Sequence, residues 1–220
     1  MTDPDAVNRR FVILISGRGS NMQQIIEQAQ AQAWSAEFVR VISNRADAPG
    51  IEWAKQKGLA TAVLPHSEFA DRQAFDDRLA EMIETDRPDY VLLAGFMRIL
   101  TPGFVARFKN RLVNIHPSLL PAFPGLKTHE QALAAGVGWH GCTVHFVTDK
   151  LDHGPIIAQA AVPVKTGDSV RVLADRVLRA EHQIYPRVVK WLAQRRVHIN
   201  QTGQVELDGV AERHLWMDQA

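Results

Sequence analysis

The amino-acid sequence predicts one α/β domain on a doubly wound, mostly parallel twisted sheet with helices on both faces. Three observations carry this expectation. Strand-like apolar runs alternate with helix-period segments through the first half of the chain. The runs are continuous rather than alternating in polarity, as strands must be when helices cover both of their faces. And 220 residues suit a single large core.

In chain order, "RFVILIS" (10–16) predicts the first strand, followed by a helix from Asn21 to Ala33 and a strand "EFVRVIS" (37–43). A helix over 51–57, the strand "TAVLP" and a helix over 72–85 come next, then "YVLLA", a short helix over 102–108 and the strand "RLVNIH". A helix "THEQALAAG" stops at Gly136, two strands "CTVHFV" and "PIIAQAAVPV" flank "TDKLDHG", and a long helix covers 169–194. Residues 1–9 read as a flexible lead. Residues 198–220 read as a hairpin turning at Thr202 and Gly203 followed by a weakly structured tail, so that 1–220 form a single domain.

Composition narrows the function classes. Twenty-five Lys plus Arg against 24 Asp plus Glu, scattered along the chain, provide no field for a polyanion, so nucleic acid is not expected as a partner. No apolar run reaches the roughly 20 residues a membrane helix needs, and the polar start has no secretory core, which predicts a cytoplasmic protein without a membrane partner. The lone Cys142 excludes an internal disulfide and reads as a small core residue. Nine histidines without a metal-binding spacing predict no metal site.

In a parallel sheet, ligands collect where loops leave the carboxyl ends of strands. "SGRGSNMQQII" leaves the first strand with glycines at 17 and 19 and a capping Ser20 or Asn21, so its free N–H groups and helix dipole can hold a phosphate. Met22 stands where a dinucleotide fingerprint needs glycine, and these residues fit a capped glycine turn without a ligand equally well. "VLLAGFMRIL" offers an apolar exit that fits core packing or a flat ligand pocket. "LVNIHPS" sets Asn114 and His116 two positions apart on one side of an extended chain, with Pro117 fixing the imidazole's direction. An amide N–H and an imidazole aimed at one point can stabilise an oxyanion and move a proton; alternatively they tie down the loop. Asp152 fits a turn former, and a carboxylate beside an imidazole favours its charged form.

The segments "VLISGRGSNMQQII", "ISNRADAPG", "VLLAGFMRILTPGFV", "LVNIHPSLLPAFPG", "HFVTDKLDHGPIIAQ" and "RVLRAEHQIYP" closely resemble the folate-dependent phosphoribosylglycinamide formyltransferases of purine biosynthesis, from residue 11 to 190. The resemblance implies a Rossmann-like formyltransferase fold and transfer of the formyl group of 10-formyltetrahydrofolate to the amine of glycinamide ribonucleotide, with no metal. It implies Asn114, His116 and Asp152 as the catalytic trio. It implies Gly19, Ser20 and Asn21 on the ribonucleotide phosphate and Glu181 on its ribose. Arg72, Met97, Arg98, Ile99, Leu100, Asn114, Val147, Thr148, Asp149 and Asp152 would hold the folate, the loop from Val147 to Asp152 closing over the pterin. A monomer or weak homodimer is expected.

Two positions depart from the family pattern: His153 stands where glycine is common and Lys127 where histidine is frequent. The "NIHPSLLP" segment is shared by other formyl-folate enzymes. A formyltetrahydrofolate hydrolase would carry an extra N-terminal domain, for which nine residues leave no room, and a methionyl-tRNA formyltransferase would add a C-terminal RNA-binding domain. A non-catalytic nucleotide or folate binding module is the remaining alternative.

Overall fold

A computed structural model describes residues 8–217. Its elements are β1 (Arg9–Ile15), α1 (Ser20–Ala31), β2 (Ala36–Ser43), α2 (Pro49–Gln56), β3 (Thr61–Val63), α3 (Arg72–Thr85), β4 (Tyr90–Leu93), α4 (Pro102–Arg107) and β5 (Leu112–His116). There follow α5 (Thr128–Ala134), β6 (Trp139–Phe146), β7 (Ile156–Pro163), α6 (Val170–Ala193), β8 (Val197–Ile199), β9 (Val205–Leu207) and β10 (His214–Trp216). Eight strands form one sheet in the order β10-β7-β6-β5-β4-β1-β2-β3, and β8 and β9 form a separate hairpin. Pairing is parallel except at β5–β6 and β6–β7. The mostly parallel sheet expected from the sequence is therefore the one observed.

The continuous apolar strands are explained by burial on two sides. Phe11, Ile13 and Ile15 of β1 pack with Met22, Ile25 and Ile26 of α1 and with buried residues of α2 and α6. Their neighbours Val12 and Leu14 point the other way, onto Phe75, Leu79 and Ile83 of α3 and Phe104 of α4. Asp71 and Thr101 cap α3 and α4 by accepting from the N–H groups of Ala74 (2.8 Å) and Phe104 (3.3 Å). Among the described residues no helix is long and apolar enough to cross a membrane.

Two terminal expectations change. Residues 1–7 lie outside the described residues, but Arg9 already pairs with Ala36 across β1–β2, and its guanidinium meets Asp89. The tail after the β8–β9 hairpin is not merely loose: β10 joins the main sheet beside β7, Leu215 pairing with Ala160, because it satisfies an otherwise open sheet edge. Residues 218–220 lie outside the described residues.

The strand order places the topological switch between β1 and β4: the chain runs from β1 through β2 to β3 on one side and from β4 to β5 on the other. Loops leaving β1 and β4 part there and open a crevice of about 390 Å³, lined among others by Ser16, Asn44, Met97 and Arg98. Ser16 ties the three loops together, donating to Asn44 Oδ1 (2.6 Å) and accepting from the Met97 N–H (2.8 Å).

Candidate active site

The Gly19 backbone adopts the left-handed conformation (φ 66°) immediately before α1, so the first turn of that helix opens without a side-chain cap. Gly50, at the start of α2, presses on this loop. Its N–H donates to the Gly17 carbonyl (3.1 Å), and a Cβ there would lie 2.9 Å from the carbonyl oxygens of Gly17 and Arg18. Asn21, buried in the first turn, donates to Glu181 Oε2 across a 2.7 Å hydrogen bond from α1 to α6. The residues expected around one ribonucleotide are thus brought together from positions 160 apart in sequence.

Glu181 is buried, and desolvation pushes its carboxyl up to about 7 against the lowering effect of the Asn21 amide. A carboxyl raised in the folded state lends stability that is complete below its ordinary value near 4.5 and is lost as pH climbs through about 7. Glu181→Gln should therefore leave the ligand-free protein more stable than its parent at pH 8, by up to about 3 kcal/mol, with the advantage shrinking towards pH 5. Urea unfolding at the two pH values measures it; a difference independent of pH would contradict the assignment.

β5 presents Asn114 and His116 on one face, as the two-residue period requires. Antiparallel register sets His145 of β6 directly opposite Asn114, and Thr143 opposite His116. Buried His145 uses Nδ1 to donate to the Phe146 carbonyl (2.9 Å), which leaves Nε2 to accept from the Asn114 amide (3.3 Å). Burial, the largest influence, lowers the His145 pKa and favours this neutral form. The contact fixes which way the Asn114 amide points and leaves its second N–H free.

Asp152 comes from the loop between β6 and β7 with a left-handed backbone (φ 53°), a conformation Asp tolerates better than most residues. Its Oδ2 lies 3.5 Å from His116 Nδ1, and its Oδ1 lies 4.0 Å from His145 Nε2. The Gly125 N–H donates to the same Oδ2 (2.8 Å), locking this loop to the proline-rich one. His116 commits Nε2 to the Phe123 carbonyl (3.0 Å), so Nδ1, facing Asp152, is the nitrogen left to handle a proton.

The proline-rich stretch 117–127 is held from beneath by two buried threonines and the half-buried Gln159. Thr143 Oγ1 donates to the Ser118 carbonyl (2.7 Å) and accepts from the Leu120 N–H (3.0 Å). Gln159 Nε2 reaches the Leu120 carbonyl (2.9 Å), and Thr128 Oγ1 the Pro117 carbonyl (2.7 Å). Each such bond contributes about 1 kcal/mol, and removing one would leave a buried group unpaired. Thr143, His145 and Gln159 were not singled out from the sequence; what finds them is strand register.

The folate-side residues divide. Met97 and Ile99 are 71% and 59% exposed, so these two side chains are not the core residues their apolarity also allowed; Leu126 of the proline-rich loop and Leu151 of the β6–β7 loop are exposed as well. Leu100 and Val147 are partly buried against the α3/α4 core. Arg98 lies 4.7 Å over the Phe75 ring, and the Thr101 N–H donates to buried Asp76 (2.6 Å), which anchors the end of this loop. Arg72 opens α3 as an exposed side chain, Thr148 Oγ1 donates to the Lys150 carbonyl (3.3 Å) and Asp149 is exposed. Among the described residues no side-chain hydrogen bond or ion pair ties Arg72 or Asp149 to the cluster.

Both departures from the family pattern are accommodated. His153 is exposed, and the positive φ falls on Asp152 instead, so no glycine is needed there. Lys127 takes φ 58° just before α5 and pairs with Glu130 on the surface. Behind the loop, His129 and His140 share a 3.1 Å contact, and burial lowers the His140 pKa to about 4. Among the described residues no group of three or more His, Cys, Asp or Glu is placed to hold a metal ion.

Residues 9–189 match the family model described as formyl transferase. The chain is 50% identical over 199 residues to the phosphoribosylglycinamide formyltransferase of Escherichia coli, covering 90% of this chain and 93% of that one. It is 44% identical over 196 residues to the human trifunctional purine biosynthetic protein adenosine-3, where the match spans 19% of the longer protein. Among solved structures, the phosphoribosylglycinamide formyltransferase of Anaplasma phagocytophilum superposes with a TM-score of 0.89 at 40% identity, covering 96% of this chain and 99% of that one. A formyltetrahydrofolate deformylase from Pseudomonas syringae gives a TM-score of 0.84 at 25% identity, covering 91% of this chain and 66% of that one.

Proposed function

The chain belongs to the formyl transferase family and transfers the formyl group of 10-formyltetrahydrofolate to glycinamide ribonucleotide in purine biosynthesis; we propose that Asn114, His116 and Asp152 carry the chemistry. The observation supporting this assignment is their convergence, with Asp152 3.5 Å from His116 and the Asn114 amide oriented by His145.

In this reading Gly19, Ser20 and Asn21 hold the ribonucleotide phosphate at the opening of α1, where unpaired N–H groups favour an anion. Ribose hydroxyls donate to Glu181 and draw its carboxylate back towards the charged form. The folate lies against Met97, Arg98, Ile99 and Leu100, beneath the loop Val147, Thr148, Asp149 to Asp152, with Arg72 at its outer end.

The ribonucleotide amine attacks the formyl carbon, and the carbonyl π electrons move onto oxygen. The free Asn114 N–H and the His116 Nδ1 proton stabilise that oxyanion, a contribution of roughly 10²–10³ in rate per donor in comparable sites. Asp152, 3.5 Å from His116 Nδ1, holds the imidazole in place and accepts the proton that the ammonium nitrogen sheds. The oxyanion collapses to reform the carbonyl, N10 departs with its bonding pair and takes the His116 Nδ1 proton, and Asp152 returns to the imidazole the proton it accepted, leaving the formamide product. Holding two bound reactants at attack distance supplies ~7 kcal/mol or more in favourable cases. One domain over 1–220 contains both subsites, and the protein works in the cytoplasm as a monomer or weak homodimer without nucleic-acid or membrane partners.

The likeness to a deformylase makes water the rival acceptor. With 10-formyltetrahydrofolate saturating, formyl consumption should depend on glycinamide ribonucleotide and rise at least 100-fold over the rate without it. Equal consumption with and without the ribonucleotide would make the chain a hydrolase.

A further inference from the structure

The carboxyl-terminal end of α1 and the last turns of α6 enclose a second concavity, away from the catalytic cluster. Its volume is about 620 Å³, within the range that small organic ligands occupy. Along α1 its first lining residue, Gln28, lies about 10 Å beyond Asn21, and on α6 its first, Gln183, stands two residues beyond Glu181. Three cations line it, Arg187, Lys190 and Arg196, together with the indoles of Trp34 and Trp191; none of the residues lining it is acidic. Among the described residues none of the three cations has a carboxylate within 4.0 Å, although most other arginines of the sheet and helices are paired.

These cations are positioned against the aromatic wall. Lys190 Nζ lies 5.9 Å from the centre of the Trp34 ring and donates to Gln32 Oε1 (2.8 Å), which also accepts from Trp34 Nε1 (3.2 Å). The Arg187 guanidinium lies 5.8 Å from the centre of the Trp191 ring. Gln28, Gln183 and Gln194 add amides that can both donate and accept. Unpaired cations beside indoles and amides match a ligand that is anionic at one end and planar, aromatic and hydrogen-bonding at the other. Phosphate meets Arg and Lys through charge-assisted hydrogen bonds, and a base stacked on an aromatic side chain gains about 1–3 kcal/mol. We propose that this groove is a nucleotide-binding site separate from the active site, a purine base stacking on half-buried Trp34, since Trp191 is only 6% exposed.

Tryptophan fluorescence and calorimetry, titrating ATP into the full chain with glycinamide ribonucleotide saturating the first site, test this. The expected result is saturable quenching with binding in the submillimolar range, at least tenfold weaker in Lys190→Ala and Arg196→Ala, while both variants keep the parent's formyl-transfer kcat. Adenosine and tripolyphosphate, each presenting half of the ligand, should bind at least tenfold more weakly than ATP. No quenching, quenching abolished by the ribonucleotide, or tripolyphosphate binding as well as ATP would overturn the proposal.

Discussion

Asp152→Asn is expected to fold as its parent does and to lose about two to three orders of magnitude in kcat. Folding is spared because the amide oxygen can still accept from the Gly125 N–H, the contact that joins the two site loops. Turnover is lost because the substitution removes the one carboxylate that, among the described residues, faces both imidazoles, at 3.5 Å from His116 and 4.0 Å from His145. The neutral amide neither offers the imidazoles a carboxylate partner nor accepts a proton from the attacking amine. Steady-state kinetics at saturating substrates, beside a thermal melt, separates the two effects; parent-like kcat in a folded variant would remove Asp152 from the mechanism.

Gly154→Ala should be the most damaging substitution of a single glycine near the site. A Cβ at this position would stand 1.6 Å from the Phe146 carbonyl oxygen and 2.7 Å from its carbon, both of them backbone atoms with no room to yield. The closing turn of the β6–β7 hairpin must then open. A loss above about 3 kcal/mol is expected, since overpacking against fixed backbone lies in the severe tail of mutational effects. Asp152, two residues earlier, would move with the loop, so activity should fall even in the fraction that folds. Gly138→Ala is the control: its Cβ meets nothing within 4 Å, and its cost should stay within about 0.5 kcal/mol. Denaturant unfolding of the pair reads the contrast, and similar midpoints would show that the turn relaxes.

What could be read in the sequence follows from which interactions are local. β1, β2, β4 and β5 were legible because burial on both faces demands unbroken apolar runs. Asn114, His116 and Asp152 were legible because a strand end, a proline and a turn constrain side-chain direction locally. The reversed direction of β6 against β5 was harder to see, since a helix between strands usually implies a parallel return. α5 has only seven residues, about 10 Å, too short to cross back along the sheet, so the chain re-enters β6 from the carboxyl end of β5. Because the roles of His145, Thr143 and Gln159 arise from that register, they stayed hidden with it. β10 was missed because three residues at a sheet edge carry no periodic signal.

The most direct test is a crystal structure with glycinamide ribonucleotide and a stable 10-formyl folate analogue bound together. The formyl oxygen should lie 2.6–3.2 Å, roughly hydrogen-bond reach, from Asn114 Nδ2 and from His116 Nδ1, with the ribonucleotide phosphate at Gly19, Ser20 and Asn21 and its amine facing the formyl carbon. A formyl oxygen turned away from both side chains, with the ribonucleotide amine out of line with the carbon, would contradict the account.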